Sequence, residues 1–422
     1  MFRVEMLPAA HGDCLWIEYG SGHRVDRILI DGGPAHTYPA LRERILHLPA
    51  EERRFELLVI THIDADHIEG VVRLLQDAQA LSCTFERIWF NGRDQLNQIP
   101  DPAGEPLGAL QGEMLGMLIA DYEAWLGREV WNRDLPGRLA VIDHARGELP
   151  VVLLGGVCRL TLLSPDHERL LELKDNWAGE LREARVASGD IQTLKSKLEA
   201  SRNLRPLGDV LGGEDEEPAE DRFELPAADD RDLAHALGDV LGGGSGEPGA
   251  EAPFGGDTSK ANGSSIALLL EYPEDRPEVR FLLAGDAWPG VLAASIDTLL
   301  PEPHQRLSLT GFKLPHHGSV ANISPELLGR LNCTHYLVST SGAVFRHPHA
   351  RAIELLLEAH AGRGKPCLHF NYLSATTAVW SDPADQQAKG YQAFHPKGIS
   401  LAAGHGERSE GRVGIEVRRA QP

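Results

Sequence analysis

Four side chains able to bind a divalent ion fall within six residues of the stretch Thr61-His62-Ile63-Asp64-Ala65-Asp66-His67-Ile68-Glu69-Gly70. Imidazole and carboxylate are donors that Zn²⁺ and Mn²⁺ accept, and little but small or apolar residues separates them here. A solvated turn is the plain alternative, but two His and two Asp at this spacing favour a metal site. Downstream, Asp286 ends the apolar run Arg280-Phe281-Leu282-Leu283-Ala284-Gly285. A carboxylate there is costly unless something pairs with it, and a metal would do so.

Histidines supply the remaining candidates. His316 and His317 stand in Lys313-Leu-Pro-His-His-Gly-Ser319, and His347 precedes Pro348. A neutral imidazole binds metal and its pKa lies near working pH, so each could ligate or move a proton. His335 and His349 read as surface or core histidines.

The elements that must position these groups follow from apolar spacing. Leu57-Leu58-Val59-Ile60 reads as a buried strand, and Ile68 to Ala80 carries Ile68, Val71, Val72 and Leu75 at helical spacing, so the four donors occupy a strand-to-helix turn. Before it, Phe2–Leu7, Cys14–Tyr19 and Arg27–Ile30 read as strands. Their turns, Ala10-His11-Gly12-Asp13 and Asp31-Gly32-Gly33, are expected as tight turns first and as chemistry second. Helices are expected at Thr37–Leu48 and Leu107–Leu126, and strands at Arg87–Phe90, Leu139–Ile142, Val151–Leu154 and Arg159–Leu163. The later half adds strands at Ser265–Glu271, Val279–Ala284, Gly311–Leu314, His335–Ser339, Cys367–Phe370, Thr377–Trp380, Ile399–Leu401 and Val413–Val417. Its helices are Trp288–Leu300, Pro325–Leu331 and Ala350–Ala361. Hairpins followed by mixed strands and helices suit paired sheets covered by helices.

The first stretch resembles the HxHxDH signature of the metallo-β-lactamase-like hydrolases, with Asp64 in place of the second His. Leu283-Ala284-Gly285-Asp286 resembles the Gly-Asp motif of that family. The Lys-x-x-His-His-Gly-Ser and His-Pro motifs resemble those of the hydrolase domain attached to bacterial competence DNA-uptake channels and of its soluble relatives. The resemblance implies an α+β fold, the αββα sandwich, with two divalent ions as cofactors. His62 and Asp64 would serve one ion and Asp66 and His67 the second, with Asp286 bridging and His347 the last ligand of the second. Asp66, His316 and His317 would be catalytic, and which of the two adjacent histidines faces the site stays open. Asn262, in Asn262-Gly-Ser-Ser265, stands where many relatives have a His and is a possible further site residue. With Asp64 and Asn262 replacing imidazoles, the first ion gains oxygen donors, which favours Mn²⁺ or Mg²⁺ over the Zn²⁺ of a His-rich site. A bridging carboxylate holds two ions about 3.5–4 Å apart, the spacing that clamps both oxygens of a displacement.

Residues 1–174 and 261–422 read as halves of one domain, separated by an acidic insertion at 175–260. Trp177–Ala200 is expected as a polar helix and the remainder as disordered. Between Arg205 and Lys260 stand fifteen acidic and four basic side chains, about half of the chain's net charge of −21. Leu207-Gly-Asp-Val-Leu-Gly-Gly213 recurs as Leu237-Gly-Asp-Val-Leu-Gly-Gly243, either a duplicated linker or a recognition site shown twice to a docking partner or protease. Anchored beside Asn262, so acidic a segment is expected to mask a phosphate-binding groove until it is released.

The net charge alone opposes nucleic acid, since phosphate binding needs a positive field; with half the excess in one segment, a DNA substrate stays open. No run approaches the roughly 18 apolar residues of a membrane span. Met1–Leu7 lacks the basic start and apolar core of a signal peptide, and five scattered cysteines imply reduced thiols, so a cytoplasmic protein is expected. The leading expectation is a two-metal phosphodiesterase acting on DNA. The alternatives are a small-molecule hydrolase of a lactone, thioester or cyclic nucleotide, and a non-catalytic scaffold with a degenerate metal site.

Overall fold

Alternation along the first strands sends their side chains into two separate cores. The computed structural model describes residues 1–21, 24–96, 110–174, 256–300, 302, 305–396 and 413–417. In its N-terminal half are β1 (Phe2–Met6), β2 (Leu15–Ser21), β3 (Arg24–Ile30), β4 (Arg54–Phe55), β5 (Leu57–Val59), β6 (Thr84–Phe85) and β7 (Ile88–Trp89). Leu15, Ile17 and Tyr19 of β2 enter one core and Trp16 the other; Ile28 and Ile30 of β3 are likewise opposed by Leu29, and Leu57 and Val59 of β5 by Leu58. Each such burial contributes about 1.5–3 kcal/mol, so a one-residue slip, which exchanges the two sets, is strongly disfavoured.

The later strands are β8 (Val151–Leu154), β9 (Cys158–Ser164), β10 (Ala267–Tyr272), β11 (Val279–Leu283), β12 (Leu307–Lys313), β13 (Leu331–Val338), β14 (Cys367–Phe370), β15 (Gln392–Phe394) and β16 (Val413–Val417). One sheet runs β16-β1-β2-β3-β5-β7 and another β15-β14-β13-β12-β11-β10-β9-β8, with β4 and β6 as a separate pair. The fold is mixed α+β. The first core lies between the two large sheets, where Phe2, Val4 and Ile17 join Leu160, Leu268 and Phe281. The second lies on the other face of the six-stranded sheet, under helix α1 (Tyr38–Leu46), helix α2 (Ala65–Leu81) and the helix Leu110–Leu126.

Each large sheet is antiparallel on one side and parallel on the other: β3, β5 and β7 run together, as do β11 to β15. Crevices beyond the carboxyl ends of parallel strands are where open α/β sheets bind ligands. Here β3 delivers Asp31, β5 delivers His62, β11 delivers Asp286 and β12 delivers His316. Hydrogen bonds stitch the two rims together, from Ile266 N to the Thr61 carbonyl at 2.9 Å and from Ser339 Oγ to the Gly12 carbonyl at 2.8 Å.

Several expected elements differ. α2 begins at Ala65, three residues before the expected start, so Asp66 and His67 lie in its first turn. Leu139–Ile142 forms no strand, because the side chain of Asn91 takes both the N–H and the carbonyl of Ala140, at 3.0 and 2.7 Å. A side-chain amide thus stands in for a neighbouring strand. Thr377–Trp380 is not a strand either: Ser374 and Thr377 form a capping box that starts the short helix Ala375–Ala378. Residues 175–255, with the helix expected at Trp177–Ala200 and both heptapeptides, lie outside the described residues, as does Ile399–Leu401. All five cysteines are free and buried. Among the described residues, no helix is long and apolar enough to cross a membrane.

Candidate metal centre

The donors of the first motif reach the rim by three different routes. His62 lies in the extended link after β5, Asp64 is the N-cap of α2, and Asp66 and His67 occupy its first turn. The helix start can approach the first hairpin because residue 12 is glycine; a Cβ there would stand 1.7 Å from the Asp66 carbonyl oxygen. Asp286 follows β11 through Gly285, whose φ is +52°. His316 and His317 sit in the turn Pro315–Gly318, with φ values of +47° and +55°. Two successive bulky residues in the left-handed region are strained, a cost that surrounding structure must offset and that gathers at functional sites.

One tight cluster results. His317 Nε2 lies 3.4 Å from Asp66 Oδ2 and 3.7 Å from Asp286 Oδ2, and His67 Nε2 lies 3.8 and 3.5 Å from the same two oxygens. Donors about 2.05 Å from one ion in a tetrahedron are about 3.4 Å apart; these contacts have about that spacing, and the donor atoms of Asp66, His67 and His317 converge as one group, those of His62, His67 and Asp286 as another. A second, looser set shares Asp286 Oδ2. His62 Nε2 is 3.9 Å from it and 3.4 Å from Asp64 Oδ2, and His316 Nε2 is 4.0 Å from it.

Behind each imidazole an acceptor fixes which nitrogen faces inward. His67 Nδ1 is 2.8 Å from Asp31 Oδ2 and His317 Nδ1 is 2.9 Å from the Ser339 carbonyl, so both rings donate from Nδ1 and turn Nε2 to the cluster. His62 Nδ1 contacts Thr61 Oγ1 at 3.0 Å. The Nε2 atoms of His62, His67 and His317, with Asp286 Oδ1 and Asn262 Oδ1, are buried and have no hydrogen-bond partner. Buried polar atoms are rarely left so, because each costs about 1–3 kcal/mol. Three imidazole nitrogens turned toward one carboxylate form a donor set that a divalent ion fits.

Electrostatics point the same way. Burial opposes the charge of Asp286, but the imidazoles of His67, His317 and His316 outweigh it and hold the carboxyl well below its ordinary range. Asp66 is only partly buried, and is likewise held low by His67 and His317. Burial would lower His67 and His317, yet Asp286 with Asp66 raises the first well above its ordinary value, and Asp286 with Asp13 raises the second to about 9. The centre is therefore a nest of ionised carboxylates that favours cations.

His347 lies beside the paired histidines of the centre. It is buried, with its ring centroid 5.1 Å from His316 and 6.2 Å from His317, and like Asp64 and His316 it is not among the His and Asp groups whose donor atoms converge most closely. Burial, then the neighbouring His316 and His317, pushes its pKa down to about 2. His317, expected as a catalytic residue, has its Nε2 among the candidate metal donors. His316 differs from His317: it is partly exposed, and its Nδ1 lies 3.0 Å from Asn322 Oδ1. Asn262 lies beside His316, its Nδ2 3.3 Å from His316 Nδ1 and donating to Asp257 Oδ2 at 2.8 Å.

Four contributors are not among the residues expected at the site. Asp31, wholly buried, accepts the Thr61 N–H and Oγ1–H as well as His67. Asp13 pairs with Lys313 and places Oδ1 3.4 Å from His317 Nδ1. Asp31 follows a strand as Asp286 does, and the argument from the cost of a carboxylate there applies equally to it, whereas Asp13 lies in the turn before β2. Asn322 donates to Asp257 Oδ2 at 2.9 Å and to the Asp286 carbonyl at 3.1 Å. Asp257, at a position assigned to the insertion, has Oδ2 3.5 Å from His316 Nδ1. Nothing in the local sequence of these last two marks them. No protein-family model matches the chain, and no curated protein is significantly similar to it.

Proposed function

We propose that the chain is a metallo-β-lactamase-like hydrolase of αββα architecture that uses two divalent ions to cleave a phosphodiester, with DNA as the substrate. The observation that carries this reading is the convergence of three buried, unpartnered Nε2 atoms, from His62, His67 and His317, on Asp286. Two face-to-face sheets, helices on the outside of the six-stranded one and a centre at the strand ends support it. So does the Lys-x-x-His-His-Gly-Ser motif, whose resemblance is to a DNA-handling domain.

Asp66, His67, His317 and Asp286 would hold one ion; His62, Asp64 and Asp286, with Asn262 Oδ1, would hold the other. Such ions supply Lewis-acid stabilisation of the charge that develops on a phosphoryl group. The chain's own residues orient and move protons. Asp31 and the Ser339 carbonyl set the tautomers of His67 and His317 before substrate arrives. His316, more exposed and held at Nδ1 by Asn322, has Nε2 4.0 Å from Asp286 Oδ2 and would protonate a leaving oxygen. A net charge of −21 repels DNA at long range, so this reading requires cleavage to depend on the ions.

The test is incubation with plasmid, linear and single-stranded DNA under Mn²⁺, Mg²⁺ and Zn²⁺, beside Asp286→Asn. Cleavage is expected with Mn²⁺ and is lost in the variant. Cleavage that persists in Asp286→Asn, or its absence from the parent with every ion, overturns the proposal.

A further inference from the structure

One wall of the centre is built of rings. From His317, aromatic neighbours run outward through His347 at 6.2 Å and Phe345 at 5.8 Å from it, then to His11 at 6.2 Å and His36 at 6.5 Å. Phe345 is 45 % exposed, a large apolar ring left in water beside a buried polar cluster. Single exposed hydrophobics are ordinary, but this one has a histidine ring within about 6 Å on each side. His11 belongs to the same mouth, since the turn that carries it packs on the start of α2: its neighbour Gly12 lies against the Asp66 carbonyl, and Asp13 N donates to that oxygen at 3.3 Å.

The turn that carries Phe345 is tied down. Ser341 N donates to the Ala10 carbonyl at 2.7 Å, Thr376 Oγ1 to the His347 carbonyl at 2.7 Å, and Ala10 N to Tyr372 Oη at 2.8 Å. Gly342 at φ +70° and Arg346 at φ +56° fold the chain between these ties. An exposed ring on so anchored a turn is a pre-formed platform: it loses little freedom when a flat group settles on it.

We propose that Phe345, with His11 beside it, is a stacking subsite for a nucleobase flanking the phosphate that the centre engages. This rests on the phosphodiesterase reading and names its substrate as a nucleotide chain. Every base offers a π-face, so such a platform binds bases with little regard to sequence. Acyl lactones or thioesters have no such face to present.

Titration calorimetry of the full chain with Mn²⁺ tests it, comparing thymidine 5′-monophosphate with 2-deoxyribose 5-phosphate. The parent is expected to bind the nucleotide about tenfold more tightly. Phe345→Leu, which keeps the apolar surface but not the ring, is expected to bring the two affinities within about twofold, and Phe345→Trp to retain the preference. Equal affinities in the parent, or a preference intact in Phe345→Leu, overturn the subsite. DNA cleavage is measured alongside: cleavage without base preference rejects the subsite alone, whereas base preference without cleavage supports the subsite and rejects the phosphodiesterase reading.

Discussion

Lys313 and Asp13 form an ion pair with essentially no solvent contact, and it lies directly behind His317. Burial alone would raise the Asp13 carboxyl, but Lys313, and then His317, bring it down to about 2. The pair joins the first hairpin to the end of β12, so the lysine of the Lys-x-x-His-His-Gly-Ser motif acts on the fold.

Removing one member should therefore cost more than removing both. Lys313→Met leaves Asp13 buried and uncompensated, and a loss of about 3–5 kcal/mol in denaturant unfolding is expected. The double variant Asp13→Asn with Lys313→Met should recover most of that. If the double variant is as unstable as the sum of the singles, the two groups are not coupled.

Asp31 holds His67 without facing the cluster. Asp31→Asn keeps the shape but has only one acceptor oxygen to share among Thr61 N, Thr61 Oγ1 and His67 Nδ1. A 10- to 100-fold loss of affinity for the ion, read by equilibrium dialysis, is expected from losing such an outer partner. Unchanged affinity would show that the ring is oriented by packing alone.

The contrast between Asp31 and Asp257 shows what the sequence carries. Apolar period two and a terminal carboxylate make Asp286 legible, and the close spacing of His62, Asp64, Asp66 and His67 needs no tertiary information. Asp31 obeys the same rule but is hidden by its glycines, since Asp-Gly-Gly is an ordinary turn. Asp257 and Asn322 acquire meaning only when β11 and β12 align and bring 65 residues of separation to a 2.9 Å contact. The same limit applies to His316 and His317, whose division of labour depends on two left-handed backbone angles. Strand ends misread at Leu139–Ile142 and Thr377–Trp380 trace to single polar side chains, Asn91 and Ser374, that capture backbone groups.

A second polar network, away from the centre, sets acid stability. Glu18 accepts from Trp16 Nε1 at 3.0 Å, Arg27 Nε at 3.2 Å and Arg44 Nη2 at 3.3 Å. Burial raises its pKa, but Trp16 and the two arginines outweigh this and leave it below the ordinary glutamate value. A depressed folded-state pKa gives stability that is complete above the unfolded value of about 4.3 and is lost as pH falls through the lower folded one. Glu18→Gln should therefore flatten the fall in unfolding free energy below about pH 4.3. An unchanged slope would place the acid sensitivity in other carboxylates.

Asp64 caps α2 in position only, because its side chain makes no capping hydrogen bond, and its Oδ2 stands 3.4 Å from His62 Nε2. Asp64→His can thus change the donor set without removing a helix cap. Replacing an oxygen by an imidazole should raise the ratio of Zn²⁺ to Mn²⁺ affinity by about tenfold. Competition dialysis with both ions reads it, and a ratio that does not move rejects Asp64 as a donor.

The placement of His317 and His347 makes the most direct test of the centre. Both are buried histidines, His317 in the turn after β12 and His347 in the loop between β13 and the helix Ala350–His360, and the sequence motifs alone assign the last ligand to His347. In the structure the His317 Nε2 is the atom within 3.4 and 3.7 Å of two carboxylates, while His347 packs ring to ring against His316, Phe345 and His349. If the four-atom cluster holds an ion, His317→Ala removes one of its donors and His347→Ala removes only packing. Metal analysis after dialysis should then find one ion fewer per chain in His317→Ala and parent-like content in His347→Ala. His347→Phe, which keeps a ring in that space, should behave as the parent in both metal content and thermal unfolding. Loss of an ion from His347→Phe with full content in His317→Ala would reverse the assignment and require the turn to rearrange when metal binds.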